Sequence, residues 1–166
     1  MDGHCGEQYA AFIEAELDAE RERRKALDAR GAGIVGTATG LATAVFAIGA
    51  LVTGAEKYTP DAVTVVALLL GLGLFAAAAG CGLAASRTVP YDVTAGTVYD
   101  QMVRGQWGDP EEQARRVVAY RNQVTLVSLR AGNNKKAWWL PVAFWAQIAA
   151  AAALLVAVGN ALIKAV

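Results

Sequence analysis

The chain has 166 residues, of which 55% are hydrophobic and 18% charged, and its 15 Lys and Arg balance 15 Asp and Glu. With a mean hydropathy of +0.34, this suits an integral membrane protein that carries one modest polar region. A net charge of zero gives no basic field for nucleic acid. The one histidine supplies neither a triad nor a histidine metal cluster.

Residues 1–30 are mostly polar, with no short apolar core of the kind a cleavable signal peptide needs, so the first apolar run is expected to stay as an anchor. His4 and Cys5 are adjacent near a free end, where a flexible tail is the simpler expectation than a metal site. Cys81 lies in an apolar run, so no disulfide framework is expected. Gly6–Arg30 is rich in Ala, Glu, Leu and Arg and reads as an amphipathic helix. Tyr9, Phe12, Ile13, Leu17 and Leu27 form an incomplete apolar stripe, and Glu20–Arg24 can pair one turn apart.

Gly31–Ala55 holds no Asp, Glu, Lys, Arg or His. At about 1.5 Å per residue it is long enough to cross a hydrocarbon layer of about 30 Å. Ala62–Ser86 and Ala137–Ile163 match it, so three transmembrane helices are predicted. Gly31 and Gly33 are expected to loosen the entry to the first. Gly36 and Gly40 stand in a GxxxG spacing, where small residues let backbones approach. Thr37, Thr39 and Thr43 nearby can bond back to their own helix or across to a neighbour. Ala55–Asp61 is a tight connection in which Thr59 caps, Pro60 opens and Asp61 enters the second helix. The first two spans are thus predicted to form a hairpin.

Arg87–Lys136 is a polar excursion. Thr94 is expected to cap a short helix over Ala95–Val103, which Gly105–Gly108 ends. Asp109-Pro110-Glu111-Glu112 is a strong second helix start, with Glu111–Arg115 and Glu112–Arg116 as ion pairs. Val117, Tyr120, Val124, Val127 and Ala131 recur at three and four residues, a coiled-coil-like stripe. Its expected partner is the N-terminal helix, with Phe12 or Ile13 against Val117–Val127. Gly132-Asn133-Asn134 weakens the helix, and Lys135, Lys136, Trp138 and Trp139 read as an interfacial anchor. Pro141 predicts a kink. Gln147, inside the third span, is expected either to make an interhelical hydrogen bond or to face a pore. Asn160 is expected at the far interface.

All Lys and Arg except Lys57 and Lys164 precede the first span or fill the excursion. The positive-inside rule therefore predicts a multi-pass protein of the inner (plasma) membrane, N-terminus cytoplasmic and C-terminus extracytoplasmic. The fold class is all-α, in four parts: 1–30 a cytoplasmic amphipathic helix, 31–86 a transmembrane hairpin, 87–136 a cytoplasmic helical segment and 137–166 a third transmembrane helix. No P-loop, HExxH or nucleophile elbow is present. Caps and ion pairs account for most of the acids Asp92, Asp100, Asp109, Glu111 and Glu112. No catalytic residue, metal ligand or cofactor is expected. The helix-packing candidates are Gly36, Gly40 and Gln147.

The stretch ERERRKALDARGAGIVGTATGLATAVFAIGALVTG, the span exit ASRTVPYDVT and the late RAGNNKKAWWLPVA resemble small helical membrane proteins of actinobacterial type. More loosely, they resemble SLATT-like and Pycsar-type transmembrane effectors of anti-phage defence. In those groups a charged helix leads into a membrane hairpin and a cytoplasmic helical part follows. The third span departs from a plain two-span arrangement. The resemblance implies oligomerisation and membrane disruption on a nucleotide signal, and supplies no ligand residues. The expected function is an oligomeric, membrane-disrupting or pore-forming effector. The alternative is a membrane scaffold or accessory subunit that binds a partner through its cytoplasmic helices. A transporter has little support, because no repeat and no mid-membrane charge is present. Expected partners are membrane lipids, further copies of the chain, and a cyclic nucleotide or a partner protein on the cytoplasmic side. Nucleic acid is not among them.

Overall fold

The computed structural model describes the backbone of residues 3–53 and 61–165, and the side chains of 6–47, 61–161, 163 and 164. Thr59, Pro60 and the side chains of His4 and Cys5 lie outside these. The fold is all-α. Helix α1 spans Gly3–Thr53, α2 spans Ala62–Ser86, α3 spans Gly96–Arg104 and α4 spans Glu111–Ala165.

Two helices continue where the sequence predicts a loosened or weakened backbone. Helix α1 runs through Gly31 and Gly33, and α4 runs through Gly132, Asn133, Asn134 and Pro141. Gly31 is there for space rather than for flexibility, since a Cβ on it would lie 2.7 Å from the Gly82 carbonyl oxygen. The predicted caps shift as well. Asp61 is the N-cap of α2, its carboxylate accepting from the Thr64 amide at 3.0 Å. The N-cap of α3 is Ala95, with no side-chain cap bond, in place of Thr94. Glu111 and Glu112 do fill the first turn of α4, where their charge suits the helix dipole.

The chain forms two compact units. One holds Met1–Ala26 and Thr88–Lys135, the other Leu27–Arg87 and Lys136–Val166. In the first, α1 and α4 meet at Leu17, Leu126 and Leu129. In the second, Ala38, Phe75, Ala150 and Leu154 form the centre, with Val45, Leu68, Leu74 and Ala79 around them. The buried positions of α2 are Thr64, Ala67, Gly71, Phe75, Ala78, Gly82 and Ala85. Those of α4 in this unit include Ala143, Ala150, Leu154, Ala157 and Ala161. Both sets follow the three-and-four spacing of a helix seam, and small residues on it let the axes come close.

Among the described residues two helices, α2 and the Glu111–Ala161 stretch of α4, are long and apolar enough to cross a membrane. The sequence predicts three. The first run, Gly31–Ala55, ends outside the described residues, and its described part belongs to α1. Only 28% and 22% of the most apolar windows of α2 and α4 are buried within the chain. Leu69 is 65% and Leu155 75% exposed, which a helix in the core of a water-soluble protein would avoid.

Candidate functional site

Of the three packing candidates, one is used within the chain and two are not. The Gln147 side-chain amide donates to the Ile34 carbonyl at 2.9 Å, so it ties α4 to α1. A Cβ on Gly36 or Gly40 would meet nothing within 4 Å, and the same holds for Gly33. The close approaches fall on other glycines. A Cβ on Gly82 would lie 2.9 Å from the Gly31 carbonyl oxygen, and one on Gly71 would lie 2.8 Å from the Leu154 side chain. Thr37, Thr39 and Thr43 donate back to the carbonyls of Gly33, Val35 and Thr39. Gly36 and Gly40 therefore share a face that intramolecular packing leaves open.

Polar groups close both ends of this unit. Lys136 is 2% exposed and donates to the Asp28 carboxylate at 2.5 Å. It is a buried ion-pair partner, where the sequence predicted an interfacial anchor. Lys135, Trp138 and Trp139 are exposed. At the other end Asp61 accepts from Thr64 Oγ1 at 2.7 Å, Asn160 Nδ2 at 2.8 Å and Lys164 Nζ at 2.5 Å. The Lys164 bond above all, then those from Thr64, hold the Asp61 carboxyl well below the usual range despite partial burial. Asn160 belongs to this cap, which binds the end of α4 to the start of α2.

The first unit is built around Glu20. Its carboxylate accepts from Arg130 Nε at 3.0 Å and Asn133 Nδ2 at 2.9 Å, and Asn133 also donates to the Glu20 carbonyl at 2.9 Å. Arg130 reaches Glu16 at 2.6 Å. Burial pushes the Glu20 carboxyl up, but the hydrogen bonds from Asn133 and Arg130 and the charges of Arg23 and Arg130 outweigh it. The carboxyl is held below its ordinary value. The expected Glu20–Arg24 pair is absent because Arg24 turns to the segment before α3. It donates to the Val89 carbonyl at 3.1 Å and stacks 4.8 Å over the Tyr91 ring. Ser128 Oγ accepts from the Asp92 amide at 2.8 Å and fixes the same segment to α4. Glu111–Arg115 forms at 2.6 Å; Glu112–Arg116 is not among the described ion pairs.

The N-terminal part of α1 does pack along α4 as expected, but on a different face of α4. Helix α4 meets α1 through Leu126, Leu129 and Asn133, and the Tyr120–Val124–Val127 stripe points away, with Phe12 also exposed. Tyr120, Val124, Val127 and Ala131 instead line an open groove of about 560 Å³ beside Val89 and Pro90. The Tyr120–Val124–Val127 stripe is the more apolar of two neighbouring stripes on α4. The true seam carries polar residues that pair with one another, and a three-four spacing through Leu126, Leu129, Asn133 and Lys136 was the signal for it. No family model, curated protein or solved structure matches the chain.

Proposed function

We propose that this chain is a three-span integral membrane protein whose first unit, on the cytoplasmic side, acts as a docking scaffold for another protein. The exposed apolar faces of α2 and α4 suit lipid, since soluble monomers rarely leave so large an apolar surface uncovered. The uncharged part of α1 packs in the same unit and supplies the remaining span. The observation that carries the scaffold reading over a pore is the Gln147–Ile34 bond. It engages the amide side chain of the α4 span, while Thr37, Thr39 and Thr43 of α1 bond back to their own helix, and the core cluster of this unit is Ala, Phe and Leu.

A second reading, an oligomeric membrane-disrupting effector, is favoured by Gly36 and Gly40. They stand open on α1, where a second copy can approach closely. One experiment separates the two. The protein is reconstituted in dye-loaded vesicles and its mass is measured in nanodiscs, with and without cyclic nucleotides. The scaffold predicts no leakage in any condition. The effector predicts leakage and an oligomer, both lost when Gly36 and Gly40 become Leu, at positions where an added Cβ meets nothing within 4 Å.

A further inference from the structure

The open stripe on α4 carries a specificity of its own. Tyr120, Val124 and Val127 are 59%, 38% and 62% exposed, and with Val117 and Ala131 they keep coiled-coil spacing over two heptads. No α1 residue lines the groove that Tyr120, Val124, Val127 and Ala131 form, and Val89 and Pro90 border it, while Val117 is half-buried beside Met102 and Trp107. The positions flanking such a seam choose its partner. Here they are Arg116, Gln123 and Arg130 on one side and Arg121 and Ser128 on the other, with Lys135 one turn beyond. None is acidic. Arg130 is engaged by Glu16 and Glu20, while Arg116, Arg121 and Lys135 have no ion-pair partner among the described residues. Asp92 is the one acid that lines the groove.

Two copies inserted in one membrane run parallel. Stripe-to-stripe self-pairing would then set Arg116 of one copy against Arg121 of the other, like charges at the positions that govern coiled-coil pairing. A partner with Glu or Asp at those positions gains where a second copy loses. We propose that this stripe receives an acidic amphipathic helix of a different protein, with apolar residues in the groove and carboxylates against Arg116, Arg121 and Lys135. This rests on the docking-scaffold reading above and names the chemistry of its partner.

The test uses the full chain in neutral phosphatidylcholine nanodiscs and two synthetic helical peptides of about four heptads. Both carry Leu in the seam; one has Glu at the flanking positions and the other Lys. The Glu peptide should bind, the Lys peptide should not, and raising salt from about 50 mM to about 500 mM should weaken binding, since salt screens exposed charge pairs. The pair Val124→Asp and Val127→Asp should lower affinity by about tenfold or more without changing helix content, because both side chains are exposed. The pair Arg116→Glu and Arg121→Glu should switch preference to the Lys peptide, a gain that misfolding does not mimic. Equal binding of the two peptides, or no switch on charge reversal, would overturn the proposal. So would a drop in particle mass with Val124→Asp and Val127→Asp, which would make a second copy the occupant. Binding on purified particles does not depend on membrane topology, so a failure here is distinguishable from a failure of the membrane placement.

Discussion

Single residues decide how closely these helices approach. Gly31 and Gly82 put each other's carbonyl oxygens within 3 Å of where a Cβ would stand, and backbone cannot move aside as a side-chain tip can. Gly82→Ala should therefore lower stability by about 1–3 kcal/mol, while Gly40→Ala, facing open space, should stay within about 0.5 kcal/mol. Thermal melts in one detergent compare them. The two glycines look alike in sequence. GxxxG spacing marked Gly36 and Gly40, whereas the closest contact pairs glycines on different helices, and no spacing within one helix reveals that. Glu20 gives a pH signature. Its carboxyl titrates below its unfolded value, so the folded chain binds fewer protons and the stabilisation is fully present above the ordinary glutamate range. It is lost as pH falls below that range and through the lowered folded value. Denaturant melts should show wild-type stability dropping through that window and a flatter profile for Glu20→Gln. A parallel pair of profiles would remove Glu20 from the account.

At the scale of elements, the chain's period was legible and the face was not. Helices at the N-terminus, over Ala62–Ser86 and after Pro110 follow from composition, caps and run length. The helices continue through Gly31 and Gly132-Asn133-Asn134 because two of those residues serve a seam: Gly31 against Gly82, Asn133 against Glu20. Packing that satisfies such residues outweighs a propensity cost of about 1 kcal/mol or less per residue. The face of α4 was misread because buried Asn133 and Lys136 look like solvent-facing residues until their partners are known. Two substitutions separate the faces. Leu129→Asp places an unpaired charge against Leu17 and Leu126 and should unfold or strongly destabilise the first unit, by about 3 kcal/mol or more. Val124→Asp, on the exposed stripe, should leave the melting temperature nearly unchanged. Equal effects would put the seam on the wrong face.

For the whole molecule, apolar run length and the one-sided distribution of Lys and Arg carry the account, and both were present in the sequence. The structure adds that the apolar faces of α2 and α4 stay largely uncovered. It also adds that polar side chains near the ends of the second unit are paired: Lys136 with Asp28, Lys164 with Asp61. Ionised groups cost roughly 2.5–3.5 kcal/mol each at mid-membrane, and here they gather away from the apolar centre. The proposed three-span arrangement would place the two ends of the chain on opposite sides of the membrane. The most direct measurement is therefore a pair of compartment-sensitive reporters in living cells, one fused after Val166 and one inserted near Gly105. The account predicts an extracytoplasmic signal from Val166 and a cytoplasmic signal from Gly105. Both reporters on the same side would contradict the three-span membrane protein at its centre.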